Sequence, residues 1–265
     1  MKRSTKRRLR QGALYAVLLG AVLYLAVTVD WTNVRNNFWA DGLSDNWHDL
    51  ILTGVKNTVI YTVIAFSGGL ALALVLALMR LSTVAPYRWI ATVYIEFFRG
   101  LPALITILVM AFGVPIATGW KPPGGSAGAA VVGLMIVSGA YMAETIRAGM
   151  QAVPKGQTEA ARSLGMGGFS TMVHIVIPQA FRIIIPPLTN EFVLIIKDTS
   201  LISVVGSSFT SRELTNTARD FMSSSDSMTA GTATSLTQAA LLYLAITLPL
   251  TQLVAWLERR QQRAR

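Results

Sequence analysis

Residues 236–257 read LTQAALLYLAITLPLTQLVAWL, with no Asp, Glu, Lys or Arg among them. About 20 apolar residues in a helix cross the hydrocarbon core of a bilayer. This stretch predicts a membrane-spanning helix, and similar blocks recur toward the N terminus. Ala13 to Val29 is free of charge. Asn57 to Met79, Gly100 to Trp120 and Gly124 to Ala143 are further spans. Pro187 to Val205 is also read as a span, although it carries Glu191, Lys197 and Asp198. Six spans predict an all-α polytopic membrane protein.

Composition agrees with that reading. Of the 265 residues, 52% are hydrophobic and only 14% are charged, where soluble domains carry about a quarter. The net charge of +10 collects at the ends: Lys2, Arg3, Lys6, Arg7, Arg8 and Arg10 at one, Arg259, Arg260, Arg263 and Arg265 at the other. No basic stripe interleaved with aromatics runs between them, so no nucleic-acid partner is expected. Basic ends flanking apolar blocks follow the positive-inside rule and place both termini in the cytoplasm. Residues 30–56, with Asp30, Asp41, Asp45 and Asp49 against Arg35 and Lys56, are expected outside. Arg80 and Arg88 belong to a short inside loop, 121–125 and 206–235 face out, and 147–182 faces in. The first block could also serve as a signal peptide. A retained helix is favoured, because the run is long and no clear small-x-small cleavage site precedes Asp30 and Trp31. With no cysteine and only His48 and His174, no metal site is expected.

The inside segment 150–186 is too strongly punctuated to be a linker. Gln157 to Leu164 consists largely of good helix formers, and Gly165 sits where a left-handed residue would end that helix. Ser170 is placed to cap a second short helix, and Pro178 to break it or start the next. Two short helices joined by glycines would make a stiff cytoplasmic knob, able to carry movement of a soluble partner to the spans. Glu159 and Arg162 share a helical face. By spacing alone they are equally readable as a solvated charge pair.

These residues carry a family resemblance. Glu159-Ala160-Ala161, Gly165, Ile175, Ile177 and Pro178 match the spacing of the EAA loop, with Ile177 where Leu is usual. This is the hallmark of permease subunits of bacterial ATP-binding-cassette (ABC) importers. Glu96-Phe97-Phe98-Arg99-Gly100-Leu101-Pro102 resembles the Glu-x-x-Arg-Gly-Thr-Pro segment of the polar amino acid permeases among them, with Leu101 for Thr. Ala140 to Arg147 resembles their Ala-Tyr-x-Ala-Glu-x-x-Arg segment, and Lys197-Asp198-Thr199-Ser200-Leu201 their Lys-(Asn/Asp)-Thr-Ser-Leu segment.

The resemblance covers about residues 50–257. It implies a five-helix type I permease core over 53–257, with the coupling loop at about 150–186. Residues 1–52, a basic tail, an extra helix and an external loop, are an addition, and 258–265 form a basic cytoplasmic tail. It further implies a multi-pass protein of the bacterial cytoplasmic membrane that imports a polar amino acid (glutamate, glutamine, histidine or arginine-like). Expected partners are two ABC ATPase subunits docked on Glu159, Ala160, Ala161, Arg162, Gly165 and Pro178, a second permease, an extracytoplasmic solute-binding protein, and membrane lipid. The chain has no G-x-x-x-x-G-K-[ST] phosphate loop. It is therefore read as a transporter subunit rather than an enzyme, with no cofactor of its own. ATP and magnesium are expected on the partner ATPase.

Ionisable residues within spans each need a reason. Glu96 with Arg99, and Glu144 with Arg147, are spaced as intrahelical ion pairs. They serve packing in one reading and gating, together with Pro102, in the other. Glu191 and Asp198 are seven apart and share a face, with Lys197 about 100° round. With Thr199 and Ser200 they form a candidate substrate pathway, an anion for the ammonium of an amino acid and a cation for its carboxylate. They are also readable as interhelical pairs or as lip charges at a helix end. Gly68-Gly69 reads as a close helix contact. Two other functions were weighed, an ion-coupled secondary transporter or channel and a membrane-embedded enzyme. The first predicts inverted repeats and the second convergent catalytic groups, and neither is visible in the sequence.

Overall fold

The computed structural model describes residues 3–32, 47–224 and 231–263. The external-loop reading of Arg35, Asp41 and Asp45 lies outside the described residues. Among those described, the chain is helical throughout. We label the helices α1 (Arg3–Thr28), α2 (Trp47–Leu81), α3 (Ala85–Gly100), α4 (Ala103–Thr118), α5 (Gly125–Gln151), α6 (Lys155–Ser163), α7 (Gly168–Val204), α8 (Leu214–Ser224) and α9 (Gly231–Arg263). Five of them are long and apolar enough to cross a membrane, and α3 with α4 makes a sixth if the bent pair counts as one span.

Helix α5 is the central post. It packs on α2, α3, α4 and α7, and its sequence GSAGAAVVGLMIVSGAYMA shows how. Small residues let neighbouring backbones approach, and dispersion between them replaces the hydrophobic drive that lipid cannot supply. Gly69 of α2 illustrates the approach: a Cβ there would stand 2.5 Å from Ser138 Oγ and 3.2 Å from the Met135 carbonyl. The Gly68-Gly69 pair is thus a close helix contact, as expected. By contrast, residues 10–28 of α1 are exposed.

The structure corrects four expectations. The third span does not run straight from Gly100 to Trp120. Residues 85–100, assigned partly to an inside loop, form helix α3, which meets α4 at a 105° bend. The bend sits at Leu101-Pro102, because the proline ring drives its predecessor out of the helical region; Leu101 is extended, at φ −93° and ψ 142°. Arg80 and Arg88 are accordingly helical residues flanking a turn at 82–84.

The second correction concerns the segment after Gly167, where Pro178 starts the next α-helical stretch, one of its two readings, and does not break the chain. It follows a π-helical turn, Met172–Val176, and sits in the first turn of the α-helical stretch Ile177–Asp198. There its missing N–H is tolerated. One long helix therefore replaces the short second helix and the span Pro187–Val205, and Gly167 rather than Ser170 is its N-cap. Third, the helix of the fourth span does not stop at Ala143 but continues to Gln151, and the expected intrahelical pair Glu144 and Arg147 lies within it. Fourth, the Ser/Thr-rich stretch 206–235 contains a helix, α8, and is not simply a loop.

Candidate functional site

The knob forms as one short helix on the stem of another. Helix α6 starts after Pro154, whose carbonyl accepts from Gln157 N at 3.0 Å. It ends at Gly165, at φ +83°, a conformation in which a side chain would be strained. Gly165 N donates to the Arg162 carbonyl at 3.0 Å and Met166 N to the Ala161 carbonyl at 3.1 Å, the paired closure of a Schellman motif. Ala161 is the buried residue of α6, and Gln179 Nε2 donates to Gln157 Oε1 at 3.4 Å, tying α6 to α7. Glu159 and Ala160 face solvent.

Arg162 does not pair with Glu159. Its Nη1 donates to the Met166 carbonyl at 3.3 Å, leaving the Glu159 carboxylate without a partner among the described residues. Leu164 and Phe169, at 85% and 83% exposure, project beside it. An unpaired acid beside two bare apolar side chains on a fixed turn is what a protein partner can grip, since interfaces combine an apolar centre with polar neighbours. Behind the knob a groove of about 690 Å³ opens between Val153, Lys155, Arg162, Thr171 and Val176.

Two of the intramembrane charges meet in a second place. Glu191 and Asp198 of α7 line one cavity of about 280 Å³ with Ala103 of α4 and Leu134, Ser138 and Tyr141 of α5. Lys197 is exposed and does not line it. Thr199 and Ser200 do not line it either. Their hydroxyls donate to the Ile196 and Lys197 carbonyls, at 2.7 and 2.6 Å, where α7 passes from α-helix to 3-10 helix. Among the described residues, the lining of the cavity thus offers two carboxylates and no cation.

The third group of charges forms a network. Arg147 Nη2 and Nε donate to the two oxygens of Glu144, at 2.5 and 2.9 Å, and Arg147 Nη1 donates to Gln151 Oε1. The other expected pair does not form. Glu96 binds Arg80 of α2 at 3.4 Å, and Arg80 also binds Glu144 at 3.0 Å. Arg99 instead lies over the Tyr141 ring, 5.7 Å from its centroid, and its carbonyl faces the Tyr141 hydroxyl at 3.4 Å. Pro102 opens α4 at the bend. Two contributors were missed from the sequence. Arg80 was hidden at the end of an apolar run, and Tyr141 was seen only as part of a motif.

Comparison with known proteins decides the family. The family model described as "Binding-protein-dependent transport system inner membrane component" matches residues 69–263. The chain belongs to that family. This permease is 37% identical to a probable glutamine ABC transporter permease protein of Bacillus subtilis (strain 168), over 84% of this chain and 97% of the relative. It is 37% identical to an L-cystine transport system permease protein of the same organism, over 69% and 73%. Among solved structures it resembles the crystal structure of an amino acid ABC transporter with histidines, with a TM-score of 0.73 and 34% identity over 83% of this chain and 97% of that one. The permease is an inner-membrane component, and its family role is that of a membrane subunit.

Proposed function

We propose that this permease is the membrane-spanning subunit of an ABC importer that carries a polar amino acid into the cell. The observation that supports this best is the α6 knob, a Schellman-closed helix with Glu159 unpaired and Leu164 and Phe169 bare. In this reading α6, the Arg80 end of the bundle and both termini face the cytoplasm. Two copies of a separate ATPase dock on α6 of this chain and of a second permease, and hold the ATP and magnesium. Residues 53–257 are the transporting core, and 1–52 and 258–265 are additions to it. A binding protein delivers the amino acid to the opposite face.

The cavity between α4, α5 and α7 suits the ammonium of the substrate, because Glu191 and Asp198 both face it. Closure of the ATPase pair draws the two knobs together and opens the opposite face; hydrolysis resets the spans, and the substrate leaves past Asp198. Chemistry on ATP stays with the partner, and this chain contributes position and force.

Purification from the native membrane, with and without Glu159→Lys, tests the reading. An ATPase that accompanies the unmodified permease and is lost from the variant is the expected result. Absence of an ATPase from both samples, with amino acid uptake that needs no ATP, would move the chain to ion-coupled transport.

A further inference from the structure

Glu213 takes no part in the transport path or the knob, yet it is the most deeply enclosed carboxylate among the described residues, with no exposed surface. It stands at the start of α8. Its Oε2 accepts from Thr215 N at 2.7 Å and its Oε1 from Asn216 N at 2.6 Å, so it satisfies two of the free N–H groups of the helix end. Tyr243 of α9 donates to Oε2 from 3.0 Å, and the Tyr243 hydroxyl also meets Thr215 Oγ1 at 3.1 Å.

Helix α2 clasps the same segment. Asn57 Nδ2 donates to the Thr210 and Arg212 carbonyls at 2.9 and 2.8 Å, Tyr61 donates to the Ser211 carbonyl at 2.7 Å, and Leu214 N donates to Thr58 Oγ1 at 3.1 Å. The acid itself joins α8 to α9, and α2 holds the backbone on which the acid stands. From Asn57 to Arg80 the helix rises roughly 35 Å, so this junction lies at the membrane face opposite the Arg80 network.

The groups around Glu213 are almost all hydrogen-bond donors or neutral. Tyr61 of α2 and Tyr243 of α9 face it as phenols. Charged groups on the neighbouring elements are engaged elsewhere or exposed. Arg212 pairs with Asp220 and lies over the Phe209 ring, Arg219 donates to the Ser203 carbonyl, Asp49 pairs with His48, and Lys56 is exposed. Among the described residues, no cation pairs with the carboxylate. Burial accordingly pushes the Glu213 carboxyl up to about 7, against hydrogen bonds from Thr215, Asn216 and Tyr243 that pull it down.

Both protonation states can be accommodated. Ionised, Glu213 accepts all three bonds. Protonated, it can donate to the Tyr243 oxygen while Tyr243 donates to Thr215 Oγ1. The two states differ in what enclosure costs, since a charge without a cation is expensive to bury and a neutral acid is not.

We propose that Glu213 is a proton-responsive positioning residue that holds α8 against α2 and α9 when protonated and loosens that hold when ionised. Linkage sets the direction. A conformation that encloses Glu213 binds the proton more tightly than one that exposes it, so rising pH favours opening at this face.

The chain contains no cysteine, which gives a direct test. Ala218 of α8 is fully buried in the junction with Leu50, Leu214 and Ala239, whereas Thr210 is exposed. Single-cysteine chains Ala218→Cys and Thr210→Cys, in native membrane vesicles, are labelled with N-ethylmaleimide, which reaches both membrane faces and requires no substrate. The ratio of the two rates cancels the intrinsic pH dependence of the thiol reaction. That ratio should rise by up to about tenfold between about pH 6 and about pH 8, the span over which one site of this midpoint titrates. With Glu213→Gln added it should be flat. With Tyr243→Phe, which removes a donor to the ionised form, the rise should move to higher pH. A flat ratio in the Glu213 chain, or the same rise after Glu213→Gln, overturns the proposal. If the Gln variant does not accumulate in the membrane, an unmoved midpoint in Tyr243→Phe overturns it alone.

Discussion

The two ends of α2 hold their charge in opposite ways. At the Arg80 end, two guanidiniums and two carboxylates alternate, Glu96–Arg80–Glu144–Arg147, and each is partly open to solvent. At the Asn57 end a single carboxylate, Glu213, is fully enclosed and meets only backbone N–H groups and a phenol. The first ties α2, α3 and α5 next to the α6 knob. In the second the carboxylate ties α8 to α9 at the far face, where α2 holds the adjoining backbone. The first arrangement sets each carboxylate against a guanidinium, with no charge left without an opposite neighbour. A lone enclosed acid has no such partner and answers to protons. The knob end carries paired charges, and the far end a single acid placed to respond to protons.

The largest expected effect separates the two by pH. The Glu213 carboxyl titrates at about 7 in the folded chain, against an ordinary value of 4.5. Between those values the folded state binds more protons than the unfolded state, so stability falls as pH rises through that window and levels off above the upper value. The loss should reach about 3 kcal/mol. Thermal unfolding of the detergent-solubilised permease at about pH 5 and about pH 8, compared with Glu213→Gln, measures it, and the Gln variant should lack most of the decline. A decline of equal size in both would place the titrating group elsewhere.

Next in size is Arg80→Ala. It removes the link between α2 and Glu144, whose side chain is 23% exposed, while Glu96, at 59%, returns to solvent. Exposed pairs contribute under about 1 kcal/mol and breaking enclosed ones costs about 3–5 kcal/mol. This half-buried link should therefore cost about 2 kcal/mol in the same unfolding measurement. Arg80→Lys, with one compact ammonium in place of a fork, can serve one carboxylate at a time and should recover only part of the loss.

How much of this was legible in the sequence follows from the same contrast. Apolar blocks marked α1, α2, α5 and α9, because lipid demands a long uncharged run and little else satisfies it. Helix α3 was lost because Arg88, Glu96 and Arg99 interrupt its apolar pattern, and only the packing of Ala91 and Ile95 on α5 shows that it is part of the bundle. Gly165 was readable as a helix stop, since a left-handed position selects glycine locally. Pro178 was readable as a helix start, but the π-helical turn that carries the chain into it without a break was not. The i,i+3 rule found Glu144 with Arg147 and failed for Glu96 with Arg99, since local spacing cannot see a third group, Arg80, brought from another helix. Glu213 was invisible for a related reason. Glutamate is not a favoured N-cap residue, and neither its enclosure nor its Tyr243 partner can be read from residues 206–235 alone.

The smallest expected effect concerns salt, and it discriminates the two ends most cleanly. Screening acts through mobile ions, which reach the partly exposed groups around Arg80 and cannot reach a carboxylate with no accessible surface. Raising ionic strength shortens the Debye length from about 10 Å at 0.1 M to about 3 Å at 1 M. The Arg80 links, with side chains 18–59% exposed, should weaken over that range by about 0.5 kcal/mol. The unfolding difference between the unmodified chain and Arg80→Ala should therefore narrow with salt, while the difference between the unmodified chain and Glu213→Gln stays constant at fixed pH. Chloride keeps the comparison free of the added surface effects of sulfate. Should the Glu213 difference also narrow, ions would have to reach the junction, and α8 would then be open to solvent in the resting permease. In that case the proton at Glu213 would report an opening that already exists instead of controlling one.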